Sequence, residues 1–141
     1  MIIEIIFCVV GTLAFAVIMK APKRDLIFIA IGSTITAVTE RLLSRHYGEF
    51  AACLIAMICL SFFCEMMARI LKEPTTVILM PSTIPLLPGS SIYYTMLYAA
   101  QSNTQRFIDY AKSTLYTGLG IALGAVISSI AIRLINYSRK D

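Results

Sequence analysis

The stretch MPSTIPLLPGSS, residues 80–91, places strong helix breakers between two apolar segments. Three prolines and one glycine occur from Pro81 to Gly89. No residue in the surrounding segment 75–105 is charged, and this is the longest uncharged run of the chain. A water-soluble protein would place such a proline-rich stretch in a surface loop. Its position inside apolar sequence therefore requires a different surrounding solvent.

The composition identifies that solvent as a lipid bilayer. Of 141 residues, 58% are hydrophobic and 14% are charged, and the mean hydropathy is +0.81. Soluble domains are about 45–50% apolar and about 25% charged, so a core of this length could not bury so much apolar surface. We expect an all-α integral membrane protein. The net charge of +4 then reports membrane topology, and nucleic acid is not an expected partner.

Uncharged runs predict about five transmembrane helices in a single helical domain, 1–141. The predicted spans are 5–19, 26–43, 50–71, 75–105 and 113–132. A helix needs about 20 residues to cross about 30 Å of hydrocarbon. The first three spans are short unless their charged ends lie partly within the membrane. This pattern favours helices that are sheltered by neighbouring helices.

The basic residues predict the orientation. With five crossings and the N-terminus outside, eight basic residues lie inside: Lys20, Lys23, Arg24, Arg69, Lys72, Arg133, Arg139 and Lys140. Four lie outside: Arg41, Arg45, Arg106 and Lys112. If the fourth segment were re-entrant, the division would be seven to five. The positive-inside rule thus favours five crossings, N-out and C-in. The basic cluster follows the first apolar run, which favours an uncleaved anchor over a signal peptide.

The proline-rich stretch predicts that the fourth helix is broken. Its prolines are Pro81, Pro85 and Pro88, and each removes a backbone donor and clashes with the preceding helical turn. Gly89 then supplies the freedom to turn, and Ser90 or Ser91 can cap a new helix. We expect two half-helices, roughly 75–80 and 90–101, joined by an unwound stretch.

Such a break has a defined chemistry. Unwound backbone at membrane depth is tolerated where it is buried in protein or lines a wet cavity. The second half-helix would present unpaired N–H groups near the bilayer centre, which suits a carboxylate, while the first would offer carbonyl groups to a cation. The alternative is a proline kink that only shapes helix packing.

The segment KEPTTVILMPSTIPLLPGSSIYYTM, residues 72–96, resembles the proline-rich signature in the C-terminal membrane half of the threonine/serine exporter family. The matching elements are Pro74, Ile84–Pro85, Pro88–Gly89 and Tyr93 or Tyr94. The resemblance implies a bacterial inner-membrane secondary transporter that exports amino acids such as threonine and serine, or dicarboxylates such as succinate. Because some members divide the two halves between subunits, it also implies a larger membrane partner in a homo- or hetero-oligomer.

The break and the resemblance together predict the substrate-binding residues. These are Ser82, Thr83, Pro85, Pro88, Gly89, Ser90, Ser91, Tyr93 and Tyr94. Two carboxylates within spans are candidates for proton coupling, Glu65 and Glu40. Glu65 lies four residues before Arg69, which is equally typical of an ion pair within one helix. Glu40 is either a wall of the polar path or a carboxylate at the membrane interface.

The last span carries a packing motif rather than a cofactor site. Gly120, Gly124 and Ser128 are spaced by four residues, which lets helix backbones approach closely in lipid. The glycine spacing does not fit a dinucleotide-binding loop, and the cysteines lack metal-ligand spacing. We expect no enzymatic activity, no cofactor and no metal site. The competing function is an assembly or scaffold subunit that has no substrate site of its own.

Overall fold

The structure is a computed structural model that describes residues 2–138. Its elements are α1 (Ile2–Ile18), α2 (Leu26–Leu71), α3 (Thr75–Ser82), a 3-10 turn (Ile84–Leu86), α4 (Gly89–Ala100) and α5 (Thr104–Ser138). Within residues 2–138 there is no strand. Helices α2 and α5 are long and apolar enough to span a membrane, and two shorter apolar helical segments accompany them. The expected all-α membrane fold with a broken fourth segment is confirmed, while Arg139 and Lys140 lie outside the described residues.

Helix α2 is a hairpin that contains both the second and the third predicted spans. Gly48, with φ 81° and ψ 165°, is its one residue with non-helical backbone angles. A Cβ atom built on Gly32 would lie 3.4 Å from Leu60 Cδ1, although a straight helix would hold these residues about 42 Å apart. The two halves therefore fold back on each other at Gly48. The sequence predicted a turn of several residues here, but a single glycine suffices because it accepts backbone angles closed to other residues.

Replacing Gly48 with alanine should destabilise this hairpin. Backbone angles of this kind are essentially restricted to glycine and cost on the order of 1–3 kcal/mol for other residues. The midpoint of thermal unfolding of the purified protein should fall measurably. The matched control is Gly11→Ala in α1, where an added Cβ would meet nothing within 4 Å. Equal midpoints for the two variants would contradict the assigned turn.

Helix α5 packs closely against the second half of α2 through its small residues. A Cβ on Gly120 would lie 2.7 Å from the Phe50 carbonyl oxygen, and one on Gly124 would lie 2.9 Å from the Leu54 carbonyl oxygen. Ser128 is 1% exposed and donates its hydroxyl to the Ala125 carbonyl at 3.0 Å. Backbones can approach this closely because glycine has no side chain at the interface.

The core lies between α1, both halves of α2, and α3 with its following turn. Ile29, Leu60 and Ile78 are fully buried there. The Ser82 hydroxyl donates to the Ile29 carbonyl at 3.4 Å, which fixes the end of α3 against the first half of α2. By contrast, none of the residues of α4, 89–100, is buried. Helix α4 therefore lies at the periphery.

Candidate functional site

The break in the fourth segment turns at Leu87 and Pro88. Helix α3 ends at Ser82 and α4 begins at Gly89, close to the half-helix bounds predicted from sequence. Leu87 is extended, with φ −65° and ψ 127°, and Pro88 has φ −78° and ψ 53°. Gly89 has no left-handed φ, and a Cβ there would meet nothing within 4 Å. The conformational freedom expected of Gly89 is thus not what makes the turn.

Helix α4 begins one residue earlier than predicted, and this changes the role of its serines. Pro88 is the N-cap residue, and no side chain caps the helix. The predicted capping by Ser90 or Ser91 is therefore wrong, because both lie in the first turn. Helical geometry leaves the N–H groups of this turn without partners inside the helix. Of these donors, the Gly89 N–H bonds the Leu87 carbonyl at 2.8 Å, and the N–H groups of Ser90 and Ser91 lie at the break together with the two serine hydroxyls.

A cavity of about 250 Å³ lies between the break, both halves of α2, and α5. We call it the polar pocket. Its lining residues are Glu40, Ser44, Glu49, Cys53, Pro85, Leu86, Leu87, Pro88, Ser90, Ser91, Ser113 and Thr117. Ligand pockets for drug-sized molecules span about 300–1,000 Å³, so this one suits a smaller solute. Two larger grooves, of about 560 and 570 Å³, are lined mainly by apolar side chains such as Leu13 and Phe62.

A chain of polar contacts connects three helices at the mouth of the pocket. The Ser113 hydroxyl of α5 donates to Glu49 Oε2 at 2.6 Å. The Ser91 and Ser113 hydroxyl oxygens lie 3.4 Å apart, within hydrogen-bond distance. The buried Thr117 hydroxyl donates to the Ser113 carbonyl at 2.9 Å. The broken segment, α5 and the α2 hairpin thus meet at one polar cluster.

The polar pocket combines two kinds of electrostatic surface. The charged side chains that line it are the carboxylates of Glu40 and Glu49, whereas the first turn of α4 adds the positive end of a helix dipole. Arg41 and Arg45 line a neighbouring cavity that also includes Glu40. Two carboxylates that share one cavity favour a cation or a proton between them. A solute with both an ammonium and a carboxylate group would match this surface.

The structure brings together about half of the predicted site residues. Pro85, Pro88, Ser90, Ser91 and Glu40 line the polar pocket. Gly89 lies between two of these positions in the chain.

Two other predicted residues make contacts outside the pocket. Ser82 is buried against the Ile29 carbonyl, and the Thr83 hydroxyl donates to the Met80 carbonyl at 2.7 Å. Both therefore satisfy their hydroxyl groups within the helical scaffold.

Tyr93 and Tyr94 belong to an aromatic cluster between α4 and α5. The ring centroids of Tyr94 and Tyr110 are 5.2 Å apart, and those of Tyr98 and Tyr110 are 5.5 Å apart. Arg106 donates to the Tyr98 hydroxyl at 3.0 Å. Tyr93 is 62% exposed. Tyr94 lies three residues after Ser91, and Tyr110 lies three residues before Ser113, so the tyrosine contact joins α4 and α5 about one helical turn from the pocket-lining serines.

Glu65 lies far from the polar pocket. It pairs with Arg69 at 3.2 Å and accepts a hydrogen bond from the Thr75 hydroxyl at 2.9 Å. Along the second half of α2 it lies about 24 Å from Glu49. The intrahelical ion pair that the sequence offered as one alternative is present, and the coupling roles of Glu65 and Glu40 stay predictions.

The sequence did not predict several residues that line the polar pocket, chiefly Glu49, Ser113 and Thr117. Glu49 follows the hairpin glycine directly and lies between the predicted spans 26–43 and 50–71. Ser113 and Thr117 continue the face of Gly120 and Gly124 toward the start of α5. Extending that small-residue stripe by two helical turns would have found both hydroxyl groups.

The sequence model of one protein family, described as Threonine/Serine exporter, ThrE, matches residues 4–131. The chain belongs to the threonine/serine exporter family. The match includes every residue that lines the polar pocket. This family consists of membrane transporters that export amino acids, so the polar pocket belongs to an exporter-type protein. Searches of curated proteins and of solved structures returned no match.

Proposed function

We propose that this chain is a membrane subunit of a secondary transporter for threonine and serine, and that it holds its substrate in the polar pocket at the broken helix 81–91. The observation that carries the proposal is the composition of this pocket. Carboxylates of α2 and the N-terminal turn of α4 line the same cavity of about 250 Å³. An amino acid carries the two complementary charges.

Each substrate group has a partner in this arrangement. The ammonium group lies against Glu40 and Glu49, where charge-assisted hydrogen bonds form. The carboxylate accepts hydrogen bonds from the first turn of α4 and from the hydroxyls of Ser90 and Ser91. The substrate hydroxyl that serine and threonine share lies near Thr117. Polar groups placed in this way favour a hydroxylated amino acid over an apolar one.

The same charges disfavour a dicarboxylate. Succinate would bring two negative groups into a pocket that already contains Glu40 and Glu49, and like charges repel across a cavity of this size. Protonation of the pocket carboxylates would weaken this repulsion, but it would not supply a cationic partner. We therefore assign amino acids, rather than succinate, as substrates.

The proposal includes a second, larger membrane subunit in a bacterial inner membrane, with this chain oriented N-out and C-in. Helix α4 has no buried residue in 89–100, and Met96 on it is 70% exposed. A broken helix at membrane depth needs protein on its open side. The peripheral position of α4 thus supports a partner that covers it.

Removing the two serine hydroxyls at the break should weaken transport. In Ser90→Ala/Ser91→Ala, two hydrogen bonds of about 0.5–1.5 kcal/mol each are lost, so the substrate concentration for half-maximal efflux should rise about tenfold. The measurement is efflux of serine, threonine and succinate from preloaded cells that express this chain alone and with its candidate partner. The matched control is Ser129→Ala, at an exposed position of α5.

The outcomes distinguish a subunit that binds substrate from a scaffold subunit. Efflux that falls in the double variant but not in the control supports a substrate site at the break. Efflux that is unchanged in the double variant would instead make this chain a scaffold, with the substrate site in the partner subunit.

A further inference from the structure

A second charged cavity lies next to the polar pocket, along the first half of α2. Its volume is about 530 Å³, and it is lined by Glu40, Arg41, Ser44 and Arg45 together with apolar side chains of α1 and α2. We call it the arginine cavity. Because Arg45 is exposed and Arg41 is half-buried, this cavity opens to the surface. The substrate site proposed above gives the two arginines no role.

The arginine cavity and the polar pocket have a common wall. Glu40 and Ser44 line both cavities. These two residues are four positions apart in the sequence, so they lie about one turn apart on one face of the helix. A small solute that leaves the polar pocket past this wall would therefore enter the arginine cavity.

Membrane topology does not account for the two arginines. In the proposed N-out orientation, the first half of α2 runs outward to its turn at Gly48, so Arg41 and Arg45 lie near its outer end. The positive-inside rule disfavours basic residues on this side of the membrane. Their spacing of four positions also places them on one face of the helix. Binding of an anionic group accounts for both their position and their shared cavity.

The chemistry of the arginine cavity matches a carboxylate. A guanidinium group is planar and presents a fork of N–H donors that fits the two oxygens of a carboxylate. Its five donors allow it to bind one carboxylate and to keep a second partner. The Ser44 hydroxyl supplies a further donor at the common wall. Ile5 and Leu42 line the same cavity, and apolar neighbours strengthen an ionic contact by lowering the local dielectric constant.

We propose that the arginine cavity is an exit site for the carboxylate group of the exported amino acid, an inference that rests on the proposed function. The ammonium group stays at Glu40, on the common wall, while the carboxylate leaves the first turn of α4 and binds Arg41 and Arg45. Release to the outside then takes place in two steps, each of which breaks fewer contacts than a single step would. Release of the transported molecule limits the turnover of many proteins that close around a ligand, so the exit site raises the maximal rate.

The test separates the maximal rate from the apparent affinity. In Arg41→Gln/Arg45→Gln, the maximal rate of serine efflux from preloaded cells, per membrane-inserted protein, should fall about three- to tenfold, because solvent-accessible ion pairs are individually weak. The internal serine concentration for half-maximal efflux should not rise, since serine first binds in the polar pocket. Ser90→Ala/Ser91→Ala should show the reverse pattern, a higher half-maximal concentration. The cells express the full chain, together with its partner if export requires one.

Two further variants separate charge from structure. Arg41→Lys/Arg45→Lys retains both positive charges and should recover part of the lost rate. The matched control is Arg106→Gln/Lys112→Gln, which removes two exposed basic side chains that do not line the arginine cavity. Its maximal rate should stay close to that of the wild type. Equal rates for the glutamine and lysine variants at the two cavity positions would overturn the proposal.

A second readout does not depend on transport. Saturation-transfer NMR on the purified protein should detect weak binding of acetate, a carboxylate that lacks the ammonium group recognised by the polar pocket. The acetate signal should fall in Arg41→Gln/Arg45→Gln and persist in Ser90→Ala/Ser91→Ala. An unchanged acetate signal or an unchanged maximal rate in the arginine variant would contradict the exit site. If the wild type moves no serine, the proposed function fails, and the acetate signal alone decides whether this cavity binds carboxylates.

Discussion

Gly124→Val should leave little folded protein in the membrane. A Cβ atom at this position would lie 2.8 Å from Met57 Cβ and 2.9 Å from the Leu54 carbonyl oxygen. Because both contacts involve the main chain of α2 or atoms next to it, no rotation of a flexible side chain can relieve them. Overpacking of a core costs about 1–3 kcal/mol. Here α5 must also move away from α2, so the loss of folding free energy should reach or exceed the upper limit of this range, about 3 kcal/mol.

The control for this substitution lies on the same helix. Gly118→Val introduces the same residue with the same helix propensity, but a Cβ there would meet nothing within 4 Å. Membrane-inserted protein would be quantified by fluorescence size-exclusion chromatography, and the thermal midpoint would be measured for each variant. Equal midpoints would show that the close contact between α5 and α2 is not present.

This contact matters for function because it positions α5, whose residues Ser113 and Thr117 line one side of the polar pocket. Thr117 and Ser113 lie on α5 about two and three turns before Gly124. Their distances to Glu49 and Ser91 depend on how closely α5 approaches α2. A weaker substitution, Gly124→Ala, should therefore impair export in the fraction of protein that still folds.

Neutralising both pocket carboxylates should reduce serine efflux about 30- to 150-fold, because each charge-assisted contact of about 1.5–3 kcal/mol becomes a neutral hydrogen bond of about 0.5–1.5 kcal/mol, a loss of about 2–3 kcal/mol for the two contacts. The variant is Glu40→Gln/Glu49→Gln. Glutamine retains the size of glutamate and can still accept the hydrogen bond from Ser113, so the change removes charge and little else. The measurement is initial efflux of labelled serine from preloaded cells at matched expression.

Competition between substrates gives a second test of ammonium recognition. Threonine should compete with serine in the wild type, whereas succinate and the hydroxy acid lactate, which lack an ammonium group, should not. Glu73→Gln is the control for loss of one exposed carboxylate. Wild-type efflux in the double variant, or effective competition by succinate in the unmodified protein, would refute ammonium recognition by Glu40 and Glu49.

The class of the protein and the position of its break follow from local sequence. Hydropathy over 141 residues requires a bilayer, because this chain cannot bury its apolar surface by itself. Three prolines within a short apolar stretch interrupt a helix wherever that helix packs, so the ends of α3 and α4 fell within two residues of their predicted positions. The packing role of Gly120 and Gly124 could likewise be predicted from the sequence, because close contact between two helices requires small residues four positions apart on one face of a helix.

The composition of the polar pocket depended on contacts between segments that are distant in sequence. Glu49 gained a role only because the α2 hairpin turns at one glycine and brings it beside Ser113. Tyr93 and Tyr94 matched the family signature, and the direction of α4 places the ring of Tyr94 against Tyr110, about one helical turn from the contact between Ser91 and Ser113.

Asp25 is a further residue whose environment is decided by the tertiary structure and not by the local sequence. It directly follows the charged residues Lys23 and Arg24 in the sequence, yet it is 1% exposed because the helices pack around this loop. Helix breaks and apolar faces are local properties of a chain, whereas burial and the sharing of one cavity by distant side chains arise from how the helices pack.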